Sequence, residues 1–482
     1  MIKNKQGEVF IVAPKDETEK IVRSGVELSK IEESKKISVR EASAYSLMDG
    51  FGLRYVSPYA LAVGANNAQI GLLSSLPSLI GNLSQLFSLR AMKIWPRKKI
   101  VFLGVFLQAI MWLVLIAAGS LYFIFDLKGA ATAHAVILIY TLLILFGAFS
   151  GPAWQSWMKD LVTKDNGKYF GRRSRIATLV SLVCMLLGGF ILDYFKQTKI
   201  FVGFIILFSL AFIGRTISSR LILKQYEPKF KVDDKYYFSL KYFIKRMYKN
   251  NFGRFVMYFS LVCLATNISS PFNAVFMLKD LNFSYSYFMA VSTASVVTTF
   301  LFVSLWGKFA DKYGNLKVMK ITGALIPIVP LFWLIAPIFR TSSVIVIYLV
   351  IVEAFSGAIW SGFNLAVGNF MYDAVSRQRM AICSTYLNII SCFGVLIGAM
   401  FGGFISSLSF NFFGLSPIMF VLLLGAIARF IVYFSMNSKI REVRAVKYFS
   451  VRKHLKEVSK KLMTSISSNK FFEYVGVSST QN

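Results

Sequence analysis

The sequence predicts an all-α polytopic membrane protein of twelve transmembrane helices arranged as two six-helix halves, and three observations predict it. The 482-residue chain is 56% hydrophobic, with a mean hydropathy of +0.59, yet carries 54 Lys and Arg against 23 Asp and Glu. A water-soluble fold has no place for both that apolar mass and a net charge of +31, whereas a membrane protein keeps them apart in spans and loops. Apolar windows of about 20 residues, the length that crosses a hydrocarbon core of about 30 Å, recur along the whole chain. The second half of the chain also repeats words of the first.

In chain order, a tail (1–41) leads into span 1 (42–66), which is interrupted by Asp49, Arg54 and the pair Ser57-Pro58. Spans 2 (68–90) and 3 (99–125) flank the basic loop SLRAMKIWPRKKI. Span 4 (132–158) carries AFSGPAW, span 5 (175–195) carries GGFI, and span 6 (199–223) carries Arg215. After a linker (224–253), span 7 (254–278) contains Ser270-Pro271, and span 8 (286–307) runs into GKFADKYGNLK before span 9 (317–338). Span 10 (343–370) carries Glu353 and AFSGAIW, span 11 (380–408) repeats GGFI, and span 12 (415–436) carries Arg429 ahead of a basic tail (437–482).

AFSG at 148 returns at 354, an offset of 206; SPY at 57 returns as SPF at 270, offset 213; GGFI and Arg215 return at offset 214. A longer loop before span 4 accounts for the smaller offset, which places Glu353 opposite Gly147. The pattern is a parallel duplication, the plan of transporters built from repeated halves. Small residues in AFSG let helix backbones approach closely. Pro58 and Pro271 each remove a helical hydrogen bond and permit a kink.

The loops after spans 1, 3, 5, 7, 9 and 11 hold only Lys128, Lys196, Lys199, Lys279 and Arg340 as basic residues. The opposite loops and both tails hold the rest, so the positive-inside rule places both termini in the cytoplasm. That distribution explains the charge without nucleic acid. The stretches 235–252 and 439–462 are basic and amphipathic, suited to an anionic membrane surface or to plain solvation. No apolar run ahead of a cleavage site marks a secretory signal. Cys184, Cys263, Cys383 and Cys392 lie within spans without metal-ligand spacing, and no nucleophile, metal or nucleotide motif is written, so neither an enzyme nor a cofactor is expected.

These residues together resemble the major facilitator superfamily over roughly 42–436. The most specific match is GKFADKYGNLK, where Gly307, Asp311, Lys312, Gly314 and Lys317 agree in type with the loop signature G-x-L-A-D-R-x-G-x-K. The loop at 88–100 keeps the basic residues and has no matching Asp. The resemblance implies an MFS-like fold, a loop that helps lock the halves in one state, and a central cavity lined by spans 1, 4, 7 and 10.

Ionisable groups inside spans face cavities or partners. Asp49, Arg54 and Glu353 are not copied by the repeat, and they are the candidates for substrate and proton handling, with Glu353 and Asp49 coupling protons. Arg54 pairs with Asp49, with Glu353 or with an anionic solute. Arg215 and Arg429, which are copied, are expected to snorkel to the cytoplasmic side. Tyr45, Tyr55, Trp154, Gln155, Asn267, Asn273, Trp360, Asn364 and Asn369 complete a cavity for a polar or amphipathic solute. The expected function is secondary transport of a small organic solute through the plasma membrane by a monomer, as proton-coupled export. Cation-coupled uptake of a sugar-like or anionic metabolite is the alternative, and a transport-inactive receptor or scaffold is the reading from another class.

Overall fold

A computed structural model describes residues 2–3, 9–10, 25–126, 130–162, 166–196, 199–228, 240–339, 341–375, 379–408, 414–436, 439–444 and 446. Two short strands, β1 (Ile2–Lys3) and β2 (Val9–Phe10), pair antiparallel, with Ile2 opposite Phe10. Among the described residues, the other elements are helices. The first half holds α1 (Gly25–Phe51), α2 (Val56–Ala62), α3 (Asn67–Ala91), α4 (Arg97–Phe123), α5 (Ala130–Leu161), α6 (Asn166–Lys196) and α7 (Ile200–Lys224). A short α8 (Leu240–Arg246) precedes the second half: α9 (Asn251–Asn267), α10 (Asn273–Val275), α11 (Tyr285–Tyr313), α12 (Asn315–Leu325), α13 (Val329–Ile335), α14 (Ser342–Ala374), α15 (Met380–Ser406) and α16 (Pro417–Met436). Most of the 439–462 stretch lies outside the described residues.

Eleven of the described spans are long and apolar enough to cross a membrane. The twelfth member of the bundle is α1 with α2, whose apolar run is broken by Arg40, Glu41, Asp49 and Arg54. In each of the eleven, between 22% and 50% of the most apolar window is buried in protein. The remaining apolar surface, including Phe190, Leu301, Ile351 and Phe434, has no protein cover, which is the condition of a helix facing lipid. Helix α1 reaches back to Gly25, into the stretch expected as tail, because Ile31, Ser34 and Ser38 bury one face. Ser34 Oγ accepts from the Tyr226 N–H at 2.7 Å, and Ser38 Oγ donates to Met158 Sδ at 3.6 Å.

The two proline spans break where the missing N–H dictates. In span 7, α9 ends at Asn267, the residue whose carbonyl would have received the N–H of residue 271, and Ser270–Phe272 continues as a 3-10 turn. In span 1, the 3-10 turn Leu53–Tyr55 contains Arg54, which stands in the same relation to Pro58.

Within the first half α1 packs on α6 and α7, and α4 and α3 pack on α5; within the second, α9 packs on α15 and α16, and α11 and α12 on α14. Glycines set one of these seams. A Cβ on Gly394 would stand 2.5 Å from the Ser260 carbonyl oxygen, and Cβ atoms on Gly398 and Gly402 would collide with those of Leu264 and Ile268. Three glycines one turn apart thus admit three backbone carbonyls of span 7.

The halves meet chiefly through two helix pairs, α3 with α15 and α6 with α11, with smaller contacts of α3 and α2 to the broken part of span 7. Cross-half hydrogen bonds lie at the end remote from the termini, as with Asn67 Nδ2 to the Ser406 carbonyl (2.8 Å) and Lys279 Nζ to the Ala65 carbonyl (3.2 Å). Deeper in the bundle, Asn82 Nδ2 reaches Cys392 Sγ at 3.1 Å.

The AFSG words do not mark equivalent depths. Helices α5 and α14 end 213 residues apart, at Leu161 and Ala374, whereas the words are 206 apart. A difference of seven residues is about two helical turns, so loop length is not the cause. The roles differ accordingly. In the first copy Ala148 and Ser150 pack where Gly81 and Gly104 leave room, and Gly151 faces open space. In the second, Gly357 itself lies against the Ser295 carbonyl and Thr298 of α11. Counted from the helix ends, the counterpart of Glu353 is Tyr140 rather than Gly147.

Candidate functional site

The break in span 1 assembles the first group. Gly52 lies against the Trp112 ring, where any Cβ would collide, so the chain can turn there only with glycine. The turn brings Arg54 Nη2 to 3.5 Å from Asp49 Oδ2. Ser181 Oγ of α6 donates to the same Asp49 oxygen at 2.5 Å. Asp49 is therefore fixed by Ser181, and Arg54 only approaches it. The Arg54 side chain is 45% exposed and, among the described residues, donates no hydrogen bond. Tyr45, one turn before Asp49, is also exposed, with the Arg215 guanidinium 5.1 Å from its ring centre. Tyr140 of α5 completes the group, in electrostatic reach of Asp49, Arg54 and Tyr45.

Other expected cavity residues are distributed differently. Gln155 and Asn364 are exposed on α5 and α14, where polar groups on a lipid-facing surface would be costly. Tyr55 lies elsewhere than the cavity expected for it: it is fully buried, and its hydroxyl donates to the Met185 carbonyl in a gap left by Gly188. It joins α1 to α6 and lines no cavity. Trp154 is half-buried beneath the Arg173 guanidinium, at 4.7 Å. Asn267 turns back on its own helix, donating to the Cys263 carbonyl at 2.8 Å, and Asn273 keeps a buried Oδ1 without a hydrogen bond. Trp360 meets Phe363 edge-on at 5.6 Å, and Asn369 is half-buried.

Glu353 stands apart from Asp49. It lies against Trp333 of α13 and in electrostatic reach of Arg429 of α16, both in the second half. Arg429 Nε and Trp333 Nε1 are buried donors without a hydrogen-bonded acceptor. The structure thus separates the two acids expected to act on protons together, because α14 turns Glu353 into its own half.

The paired arginines do not snorkel. Arg215 and Arg429 are 6% and 7% exposed and are consumed inside their halves. Arg215 Nε donates to Gln108 Oε1 at 2.7 Å, and its Nη1 stands 4.0 Å from Glu41. Arg429 Nη2 donates to Ser269 Oγ at 2.8 Å and to the Thr266 carbonyl at 3.1 Å, beside the break in span 7. Proximity to a helix end suggests water, but the inward face of each helix decides the outcome. Glu41, at the edge of the stretch expected as tail, also holds Arg173 at 2.8 Å, and no motif in the sequence marks it.

In the expected loop motif, Gly314 adopts φ +92° between α11 and α12, as a tight turn requires. Gly307 has only Leu365 near, Asp311 is exposed, and Lys312 lies over Tyr313 at 5.0 Å. Lys317 is half-buried at the start of α12. The contacts that tie this end run elsewhere. Asn315 Nδ2 donates to Asp373 Oδ2 at 2.7 Å, and Glu442 accepts from the Leu316 N–H at 2.8 Å. The first half repeats the plan with stronger chemistry: Arg97 meets Asp160 at 2.6 Å, and Glu227 accepts from the N–H groups of Arg97 (2.9 Å) and Lys98 (3.2 Å). A carboxylate at a helix N-terminus satisfies otherwise orphaned donors. The first half therefore ties this end together without an Asp in the 88–100 loop. The signal lies in QYEPK (225–229) and KIREV (439–443), which follow spans 6 and 12.

The family model described as "Major Facilitator Superfamily" matches residues 42–235 and 255–477. Among solved structures, a point mutant of the nucleoside transporter NupG is similar at a TM-score of 0.66 and 16% identity, covering 85% of this chain and 100% of its own. A bacterial homolog to the human lysosomal transporter Spinster, inward-facing and unoccupied, is similar at 0.60 and 17%, covering 85% and 98%. A bacterial homologue of the iron transporter ferroportin in an inward-facing state is similar at 0.61 and 13%, covering 84% and 99%. No curated protein matches the chain in sequence. With the family model matched over both halves, the chain belongs to the major facilitator superfamily.

Proposed function

We propose that the protein is a secondary active transporter that moves a small organic solute across the plasma membrane by alternating access. The observation that carries this reading is the group at the span 1 break, where Asp49, Arg54, Tyr45 and Tyr140 cluster at mid-span while the halves are joined at the end remote from the termini. With both termini cytoplasmic, that arrangement opens the group toward the cytoplasm. Arg54, Gln155 and Asn364 supply polar contacts along the opening, and the aromatic side chains favour an organic solute. Protons are the coupling ion, carried by Glu353 and Asp49 in separate halves; export is the favoured direction and a monomer the working unit.

A second reading concerns the solute. Beyond its ion pair with Asp49, Arg54 donates no hydrogen bond among the described residues, and a guanidinium matches a planar anion in two-point fashion. This favours a solute with a carboxylate or phosphate, whether exported or taken up by symport.

Reconstitution into liposomes tests the proposal. Tracer movement of organic anions and amphipathic cations under an imposed pH gradient should exceed that of protein-free liposomes for at least one solute. A protein that moves none of them, yet recruits a partner through residues 437–482, would be a receptor instead.

A further inference from the structure

The first turn of α11 is completed by the other half of the molecule. An α-helix begins with N–H groups that have no partner within it. Here Ser284 Oγ receives the N–H of Tyr287 at 3.2 Å. The N–H groups of Tyr285 and Ser286 go to the two oxygens of Asp193, near the end of α6, at 2.7 and 2.8 Å. The carboxylate can come this close because Gly189, one turn earlier, has no side chain: a Cβ there would stand 3.0 Å from Ser286 Cα and 3.2 Å from the Tyr285 carbonyl oxygen. Lys196 closes the contact from above, 5.8 Å from the centre of the Tyr285 ring.

The duplicated seam lacks this feature. There α3 caps itself, with Asn66 Oδ1 receiving the Gln69 N–H at 2.8 Å and Gln69 Oε1 receiving the Asn66 N–H at 2.9 Å. Between α3 and α15 the cross-half bonds are neutral, from Asn67 to the Ser406 carbonyl and from Asn82 to Cys392 Sγ; the one charged donor nearby, Lys279 of span 7, reaches the Ala65 carbonyl just ahead of α3 and belongs to neither helix. Small residues allow the same close approach, since a Cβ on Gly403 would stand 3.1 Å from Ala68 Cα. The two seams thus share their packing and differ in charge. Separating α3 from α15 breaks neutral hydrogen bonds; separating α6 from α11 strips a carboxylate from a helix N-terminus and orphans two N–H groups.

We infer that Asp193 is the latch that holds the halves together at the end remote from the termini, and that its release from Tyr285 and Ser286 is a required step when the solute site opens to that side. The inference rests on the alternating-access reading. Asp193 touches no solute in this scheme: it is a positioning residue that sets the balance between the two open states. Charge-assisted bonds are about twice as strong as neutral ones, so their loss shifts that balance by about tenfold.

The test uses the full-length protein in liposomes, with Cys184, Cys263, Cys383 and Cys392 replaced by alanine and spin labels on Ile124→Cys and Ile338→Cys. Both positions are exposed, lie at the end remote from the termini, and belong to opposite halves. The parent should give mainly the short distance. Asp193→Ala and the isosteric Asp193→Asn should raise the ratio of long to short distances by about tenfold, and Asp193→Glu should restore part of the short population. If Asp193→Ala does not accumulate, Asp193→Asn alone decides. Gly189→Leu, which wedges the same seam, shows that the labels report opening. An unchanged distribution in Asp193→Asn beside a lengthened one in Gly189→Leu overturns the latch and leaves alternating access standing. Distances unchanged in both variants remove the latch and the two-state reading together.

Discussion

Tyr140 and Glu353 occupy the same place in the two halves, 213 residues apart, the separation that also relates Asp160 to Asp373. One half puts a phenol there, beside the Asp49–Arg54 group; the other puts a carboxyl, beside Trp333 and Arg429. The fold repeats, and the chemistry at its centre does not. Tyr140→Phe should therefore slow transport by about tenfold, the effect of one polar contact near 1.4 kcal/mol, with little change in thermal stability. Equal transport in Tyr140→Phe proteoliposomes would assign the phenol to packing alone.

The Ser181–Asp49 bond predicts a graded response. Ser181→Ala frees Asp49 to close on Arg54 and should cost about 1 kcal/mol of stability, while withdrawing Arg54 from the solute. For an anionic solute, Arg54→Gln should reduce uptake by more than about tenfold, and Arg54→Lys should retain part of it. Tracer flux across the three variants reads this order; Arg54→Gln matching wild type would remove Arg54 from the site.

Arg97 and Asn315 test the strength of the duplicated contact at the ends of α5 and α14. Arg97 is 1% exposed and serves Ser156, Asp160, Glu227 and the Pro228 carbonyl, whereas Asn315 serves Asp373 and keeps a buried Oδ1 without a partner. Arg97→Met should destabilise by roughly 2–4 kcal/mol and Asn315→Ala by about 1 kcal/mol. Thermal unfolding in detergent should rank them in that order, and the reverse order would contradict the assignment.

Glycines offer a contrast inside one family of substitutions. Gly398→Val drives a side chain into the Leu264 carbonyl and should prevent accumulation of folded protein. Gly151→Ala, with nothing near its Cβ, should be neutral or stabilising by up to about 1 kcal/mol. Yield and monodispersity on size exclusion check both.

Much of this architecture is legible because apolar run length and proline position act locally. The spans, the breaks at Pro58 and Pro271, and the pairing of Asp49 with Arg54 depend on residues a few positions apart. What stays hidden depends on which face of a helix turns inward. Arg215 and Arg429 sit near helix ends in the sequence, yet their faces point at Gln108 and Ser269. Tyr55 follows Arg54 directly but belongs to the opposite side of the turn. Asp193 and Glu227 gain their meaning from helix N-termini remote in the chain, which no local pattern announces. The word AFSG misleads for the same reason: identical letters at depths two turns apart meet different neighbours.

The most direct measurement is solute accumulation by reconstituted protein under an imposed pH gradient, comparing wild type with Glu353→Gln. Wild type should concentrate the solute only while the gradient lasts. Glu353→Gln should lose that accumulation and still equilibrate the solute downhill. Full gradient-driven accumulation by Glu353→Gln would contradict the role given to this carboxyl, and a wild-type protein that moves no solute in either direction would contradict transport itself.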